Sequence, residues 1–118
     1  MKAIIICGVT KGYFHANENN LDMNTICETI KEVSNKLEAQ TGVYVSGVVS
    51  DTRVTYKTEW GCPVGEERVF KFEATQNPEF SKEKDWKISV VEFATALKEE
   101  YKQKTLTLEF VESDMMYI

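Results

Sequence analysis

The stretch DMNTICETIKEVSNKLEAQTGVYVSGVV, residues 22–49, decides the fold of this chain. Apolar residues recur along it at i, i+4, i+7 and i+11, which defines one face of a helix: Ile26, Ile30, Val33 and Leu37. Asp22 or Asn24 can cap the start of this helix. Gly42 can supply the left-handed residue that ends it. The valine-rich run Val43–Val49 then predicts a strand directly after the helix.

The same helix-then-strand unit returns at SVVEFATALKEEYKQKTLTLEFV, residues 89–111. Ser89 and Glu92 have the spacing of a capping box, which predicts that the second helix begins there. The stretch 76–87 before it, with Trp86 near its end, is then expected to be a loop. The alternating run Thr105–Val111 predicts the last strand.

Three further runs predict strands: residues 2–9, Thr52–Trp60 and Glu67–Thr75. A turn at Ser50-Asp51 would join the second of these to Val43–Val49 as a hairpin, with Val54, Tyr56 and Trp60 on its inner face. The predicted order is β-α-β-β-β-α-β within one domain, residues 1–118. Two helices on one face of a mostly antiparallel sheet make an α+β two-layer sandwich. The order resembles a ferredoxin-like fold with an added hairpin strand, an architecture that hosts many unrelated functions.

Composition excludes several classes of function. The 118 residues include 14 basic and 19 acidic side chains, a net charge of −5, and no long basic cluster, which disfavours nucleic-acid binding. No apolar run approaches the ~20 residues that span a bilayer, and the apolar start is too short for a signal peptide. The three widely spaced cysteines, Cys7, Cys27 and Cys62, indicate reduced thiols in a cytoplasmic protein. The sequence contains no metal or nucleotide motif, so no cofactor is predicted.

Seven residues in predicted loops and strand ends are candidates for a ligand-binding site: Tyr13, His15, Asn17, Arg53, Trp60, Cys62 and Arg68. His15 is the only histidine and could act as a base or a ligand contact. Cys62 could be a nucleophile if a cation or base lowered its pKa. Arg53, Lys57 and Arg68 could converge on an anionic group. The alternatives are a surface histidine, an inert thiol and surface charges paired with glutamates.

These observations predict a small cytoplasmic module that binds or senses a ligand, with a small anionic or polar molecule as its partner. A small enzyme using Cys62 or His15 is one alternative, and an acidic protein-binding inhibitor is another. The first strand is apolar at consecutive positions, and the C-terminal stretch Met115–Ile118 is apolar too. Because helices cover only one face of the predicted sheet, this pattern predicts a homo-oligomer, most simply a dimer.

Overall fold

The computed structural model describes residues 1–9, 21–62 and 66–118. Within these residues the elements are β1 (Lys2–Gly8), α1 (Met23–Thr41), β2 (Gly47–Val54), a 3₁₀ turn (Thr58–Trp60), β3 (Glu67–Thr75), α2 (Glu83–Glu100) and β4 (Thr107–Val111). The four strands form one antiparallel sheet in the order β2-β3-β1-β4. The two helices contact each other over one face of the sheet. The predicted α+β sandwich is therefore confirmed.

β1 lies inside the sheet and sets its inner face. Ile5 is directly opposite Phe72 on β3 and Leu108 on β4, so these three side chains lie on one face. Alternate residues of β1 and β3 are buried on that face with the helix stripes: Ala3, Ile5, Cys7, Phe70, Phe72 and Ala74. The residues between them lie on the opposite face, which carries no helix. We call this second surface the open face.

α1 begins and ends where its local sequence predicts. The Asp22 carboxylate accepts a hydrogen bond from the Thr25 backbone amide at 2.8 Å, and so caps the first turn. Gly42 adopts φ +78° and donates its backbone N–H to the Glu38 carbonyl. Ile26, Ile30 and Leu37 are buried as the periodicity predicts.

α2 begins at Glu83, six residues before the predicted start, so the capping-box assignment is wrong. Ser89 lies in the middle of the helix and is buried. The reason is that Trp86 extends the apolar stripe by one turn: it is buried, and its ring lies 6.2 Å from that of Phe110 in an edge-to-face contact. Acidic residues in the first turn also interact favourably with the helix dipole.

The predicted hairpin around Ser50-Asp51 is a single strand. β2 pairs continuously with β3 from Gly47, opposite Ala74, to Val54, opposite Glu67. Asp51 stays in the ladder because an ion pair with Arg68 on β3 satisfies its carboxylate. The inner-face assignment of this run is also reversed: Val54 lies on the open face, and Arg53 lies opposite Arg68 on the helix side.

The packing of Phe93 on the sheet generates a stability prediction. Phe93 is fully buried, and its ring centroid lies 5.1 Å from that of Phe72. Truncation to alanine should lower the free energy of unfolding by about 3–5 kcal/mol. Val91→Ala on the same helix is the control, because Val91 is 48% exposed and should lose far less. Denaturant titration measures both, and a loss below ~1 kcal/mol for Phe93→Ala would contradict the assigned core.

Candidate active site

Polar side chains collect where β1 ends, which we call the Gly8 end of the sandwich. The sheet register brings the start of β3 to this end, because Gly8 is opposite Val69. Arg68 reaches the residue before the cap of α1, and Gln103, which follows α2, approaches Gly8. The two faces of the sheet carry different chemistry here.

On the helix side, Arg68 is a buried structural cation. Its Nε and Nη2 donate to the two carboxylate oxygens of Asp51, at 3.0 and 3.3 Å, and its Nη1 donates to the Leu21 carbonyl. A bidentate pair of this kind is geometrically specific and fixes β2, β3 and the start of α1 together. The pKa of the Asp22 carboxyl is lowered, mainly by hydrogen bonds from Thr25 and more weakly by the charge of Arg68. The positive charge of Arg68 is thus already balanced by Asp51.

On the open face, two oxygen atoms lie over Gly8. A Cβ atom at Gly8 would be 2.4 Å from Gln103 Oε1 and 2.9 Å from Glu67 Oε1. Both oxygens therefore lie within 3 Å of one point, and glycine is the residue that leaves this space. Gly8 is buried beneath them, whereas Glu67 and Gln103 are half-buried. The arrangement presents negative charge and a carbonyl dipole together, which suits a cationic group.

The position of Gln103 is fixed by the end of α2. Its backbone N–H donates to the Lys98 carbonyl at 3.0 Å, and Lys102 takes a left-handed φ of +54°, as in a Schellman motif. The side-chain Nε2 donates to the Tyr101 carbonyl at 2.8 Å. Because the nitrogen of the amide is used in this way, the carbonyl oxygen is the atom that faces Gly8.

The predicted site residues are distributed over several places. Arg53 and Arg68 are opposite each other on neighbouring strands, as a shared anion site would require, although Asp51 pairs with Arg68. Lys57 pairs with Glu59 at 3.1 Å and lies 5.9 Å from the centre of the exposed Trp60 ring.

Cys62 follows this segment and is partly buried. The remaining three candidates, Tyr13, His15 and Asn17, lie outside the described residues.

Sequence reasoning missed the group on the open face. Glu66 and Glu67 are adjacent in the sequence, and neighbouring residues of a strand point to opposite faces, so the pair does not indicate acid–base chemistry. A role for the Glu67 carboxylate alone has no signal in the sequence. No sequence pattern links Gln103 to Gly8, 95 positions earlier in the chain, so this contact follows from the sheet order alone.

The cysteines differ in their environment. All three are free thiols: Cys7 is buried, Cys27 exposed and Cys62 partly buried. Burial, reinforced by the negative charge of Glu67, raises the pKa of the Cys7 thiol to about 12, so Cys7 is a poor nucleophile. In the described parts of the chain, no three His, Cys, Asp or Glu side chains are grouped as metal ligands. None of the helices described is long and apolar enough to cross a membrane.

The profile of the SAM lyase family matches residues 1–118. The chain belongs to the SAM lyase family.

Two solved structures have the same fold. A phage SAM lyase in complex with S-methyl-5'-thioadenosine is 17% identical, with a TM-score of 0.55, and the match covers 91% of this chain and 76% of the other. A phage SAM lyase in the apo state is 16% identical, with a TM-score of 0.58 and coverages of 91% and 75%. No curated protein matches the chain.

Membership of this family corrects the functional prediction. The expectation of a module that binds without catalysis is wrong, because the family consists of enzymes that degrade S-adenosylmethionine. The alternative of a small enzyme is the better supported one. Sequence reasoning searched for short motifs, whereas the SAM lyase profile matches along the whole chain, residues 1–118.

The thiol environments predict an order of reactivity. In the native protein, Cys27 should alkylate fastest and Cys7 slowest, and denaturation without reductant should allow three alkylations, measured by peptide and intact mass. The folded state also holds Cys7 protonated above the ordinary thiol pKa of 9.0. Its contribution to stability should be complete below pH 9 and should decline as the pH rises toward 12. Fast native alkylation of Cys7 would contradict its assigned burial.

Proposed function

We propose that this chain cleaves S-adenosylmethionine and releases S-methyl-5'-thioadenosine. The proposal is supported by the family match over residues 1–118 and by the bound S-methyl-5'-thioadenosine of one fold neighbour. That molecule keeps the methyl and adenosyl groups on sulfur. The bond to be broken is therefore the third one, between sulfur and the γ-carbon of the amino-acid chain.

The chemistry of this cleavage needs little from the protein. The electron pair of the sulfur–carbon bond moves to sulfur, which turns the sulfonium into a neutral thioether and makes it a good leaving group. The substrate's own carboxylate can attack the γ-carbon and close a five-membered lactone, so atoms and charge balance without water or a protein nucleophile. The enzyme then contributes mainly by holding carboxylate and γ-carbon in reacting geometry.

The Glu67 carboxylate, which lies over Gly8, is the observation that connects the proposed reaction with particular residues. Within the part of the chain that the structure describes, Glu67 makes no ion pair. The attraction between the Glu67 carboxylate and a sulfonium at this position should be about 2–3 kcal/mol. This figure is the Coulomb energy of an ion pair near the protein surface, reduced because the carboxylate is partly exposed to solvent. We therefore propose Glu67 as the counter-ion that selects a cationic substrate.

Because ring closure uses a nucleophile within the substrate, His15 and Cys62 are proposed as ligand contacts and have no covalent role. The other five predicted site residues are likewise proposed as ligand contacts only: Tyr13, Asn17, Arg53, Trp60 and Arg68. We also propose a cytoplasmic location, since three free thiols suit a reducing compartment.

Glu67→Gln tests the counter-ion. The variant should lose about 30–100-fold in kcat/KM for S-adenosylmethionine, which corresponds to ~2–3 kcal/mol. Liquid chromatography of the S-methyl-5'-thioadenosine formed measures this loss. The control is Glu73→Gln, because Glu73 lies on the same strand and face but pairs with Lys71 at 2.9 Å. Equal activity of the two variants would contradict the role of Glu67, and a wild-type chain that forms no product would contradict the proposed function.

We further propose a homo-oligomer that covers apolar parts of the open face and of the C-terminal stretch. Val48 on the open face is 68% exposed, and Met116, Tyr117 and Ile118 are exposed as well. Surfaces of this kind usually mark an interface. Light scattering at micromolar concentration should give a multiple of 13.5 kDa, and a monomeric mass would contradict the proposal.

A further inference from the structure

We propose that Gln103 and Gly8 complete the site as a specificity device: the Gln103 carbonyl oxygen is a second acceptor for the positive charge of the substrate, and Gly8 keeps both acceptors in place. This inference rests on the proposed function, because it assigns two further residues to the same site. It concerns how the site separates a charged sulfonium from the neutral thioether that has the same adenosyl group.

The geometry gives Gln103 an orientation that a surface amide would lack. Its backbone is held by the bond to the Lys98 carbonyl, and its Nε2 by the bond to the Tyr101 carbonyl. The oxygen is left on the side of Gly8, close to Glu67 Oε1. Two separate hydrogen bonds therefore aim one carbonyl dipole at the place where the Glu67 carboxylate already points.

An amide suits this second position better than another carboxylate. The positive charge of a sulfonium is spread over the methyl and methylene groups on sulfur, whose hydrogens make contacts with carbonyl and carboxylate oxygens. A second carboxylate so close to Glu67 would repel it, and one of the pair would tend to take a proton. A carbonyl oxygen attracts the cation without this repulsion. Its interaction with a neutral thioether is much weaker.

Gly8 allows the two acceptors to approach because it has no side chain in the space that they occupy. A methyl group at this position would lie 2.4 Å from Gln103 Oε1, closer than real contacts allow. Both atoms it would meet are the far ends of flexible side chains, so they can move away and the fold can persist. At Gly47, by contrast, an added Cβ would lie 2.3 Å from the backbone carbonyl oxygen of Glu73, which cannot move alone. Gly8 is thus dispensable for folding and required for the arrangement of acceptors.

The test compares binding of two non-reacting nucleosides by calorimetry. S-adenosylhomocysteine has a neutral sulfur, and sinefungin has an ammonium-bearing carbon in its place. In Gln103→Leu, the affinity for sinefungin should fall about tenfold, or ~1.4 kcal/mol, while that for S-adenosylhomocysteine changes less than about twofold. The KM for S-adenosylmethionine should rise by a similar factor. Gln40→Leu, an exposed position on α1, is the matched control and should change neither affinity.

Gly8→Ala is a second test of the proposal, and it does not require the Gln103→Leu variant to fold. It should keep its melting temperature within a few degrees and lose the same preference for the cationic probe. Gly42→Ala is its control: it adds a methyl group in open space at φ +78°, so it should lower stability and leave the preference unchanged.

The outcomes separate the two proposals. Equal loss of both probes, or loss of neither, in Gln103→Leu and Gly8→Ala overturns the specificity device. If the wild-type chain still cleaves S-adenosylmethionine in that case, the proposed function stands. An unfolded Gly8→Ala overturns the claim that side-chain movement relieves the clash. A wild-type chain that neither cleaves the substrate nor prefers the cationic probe overturns both proposals.

Discussion

The pairing of β1 with a strand on each side is the constraint on which the rest of the structure depends. Its alternate residues Ala3, Ile5 and Cys7 are fully buried against the helices, so β1 holds the centre of the core. Its position between β3 and β4 also sets which residues meet at its carboxyl end. Glu67 at the start of β3 and Gln103 before β4 reach Gly8 only because both strands are neighbours of β1. The core and the candidate site are thus consequences of one strand order.

At the Gly8 end of the sandwich, the charged groups on the two faces of the sheet have different roles. Arg68 and Asp51 neutralise each other on the helix side, where an unpaired charge would be costly. Glu67 lies on the open face and is half-buried; we propose it as the group that meets the substrate. The ion pair therefore holds β2, β3 and the start of α1 in position without contributing net charge to the site. The proposed reaction has its nucleophile within the substrate and therefore suits a small protein of this kind, because few groups must be aligned.

Local signals predicted the parts of the fold that depend on neighbouring residues. The caps of α1 at Asp22 and Gly42 are properties of a few adjacent positions, and both are correct. The start of α2 was placed too late because Ser89 and Glu92 imitate a capping box, whereas burial of Trp86 against Phe110 depends on a distant strand. The continuity of β2 through Asp51 likewise depends on Arg68.

The site was beyond sequence reasoning for the same reason. Glu67, Gln103 and Gly8 belong to three elements and share no spacing or motif. Arg53 and Arg68 lie opposite each other on neighbouring strands, but the sequence could not show that Asp51 balances the charge of Arg68. Pairing partners across a sheet are decided by the whole chain, and a single sequence does not reveal them.

The space above Gly8 also has an evolutionary meaning. A side chain at this position would displace the ends of two side chains, whereas a side chain at Gly47 would disturb the backbone of the neighbouring strand. One methyl group at position 8 could therefore weaken the proposed preference for a cationic substrate while the fold persists. Among natural variants of this chain, position 8 should record selection for activity, and position 47 should record selection for folding.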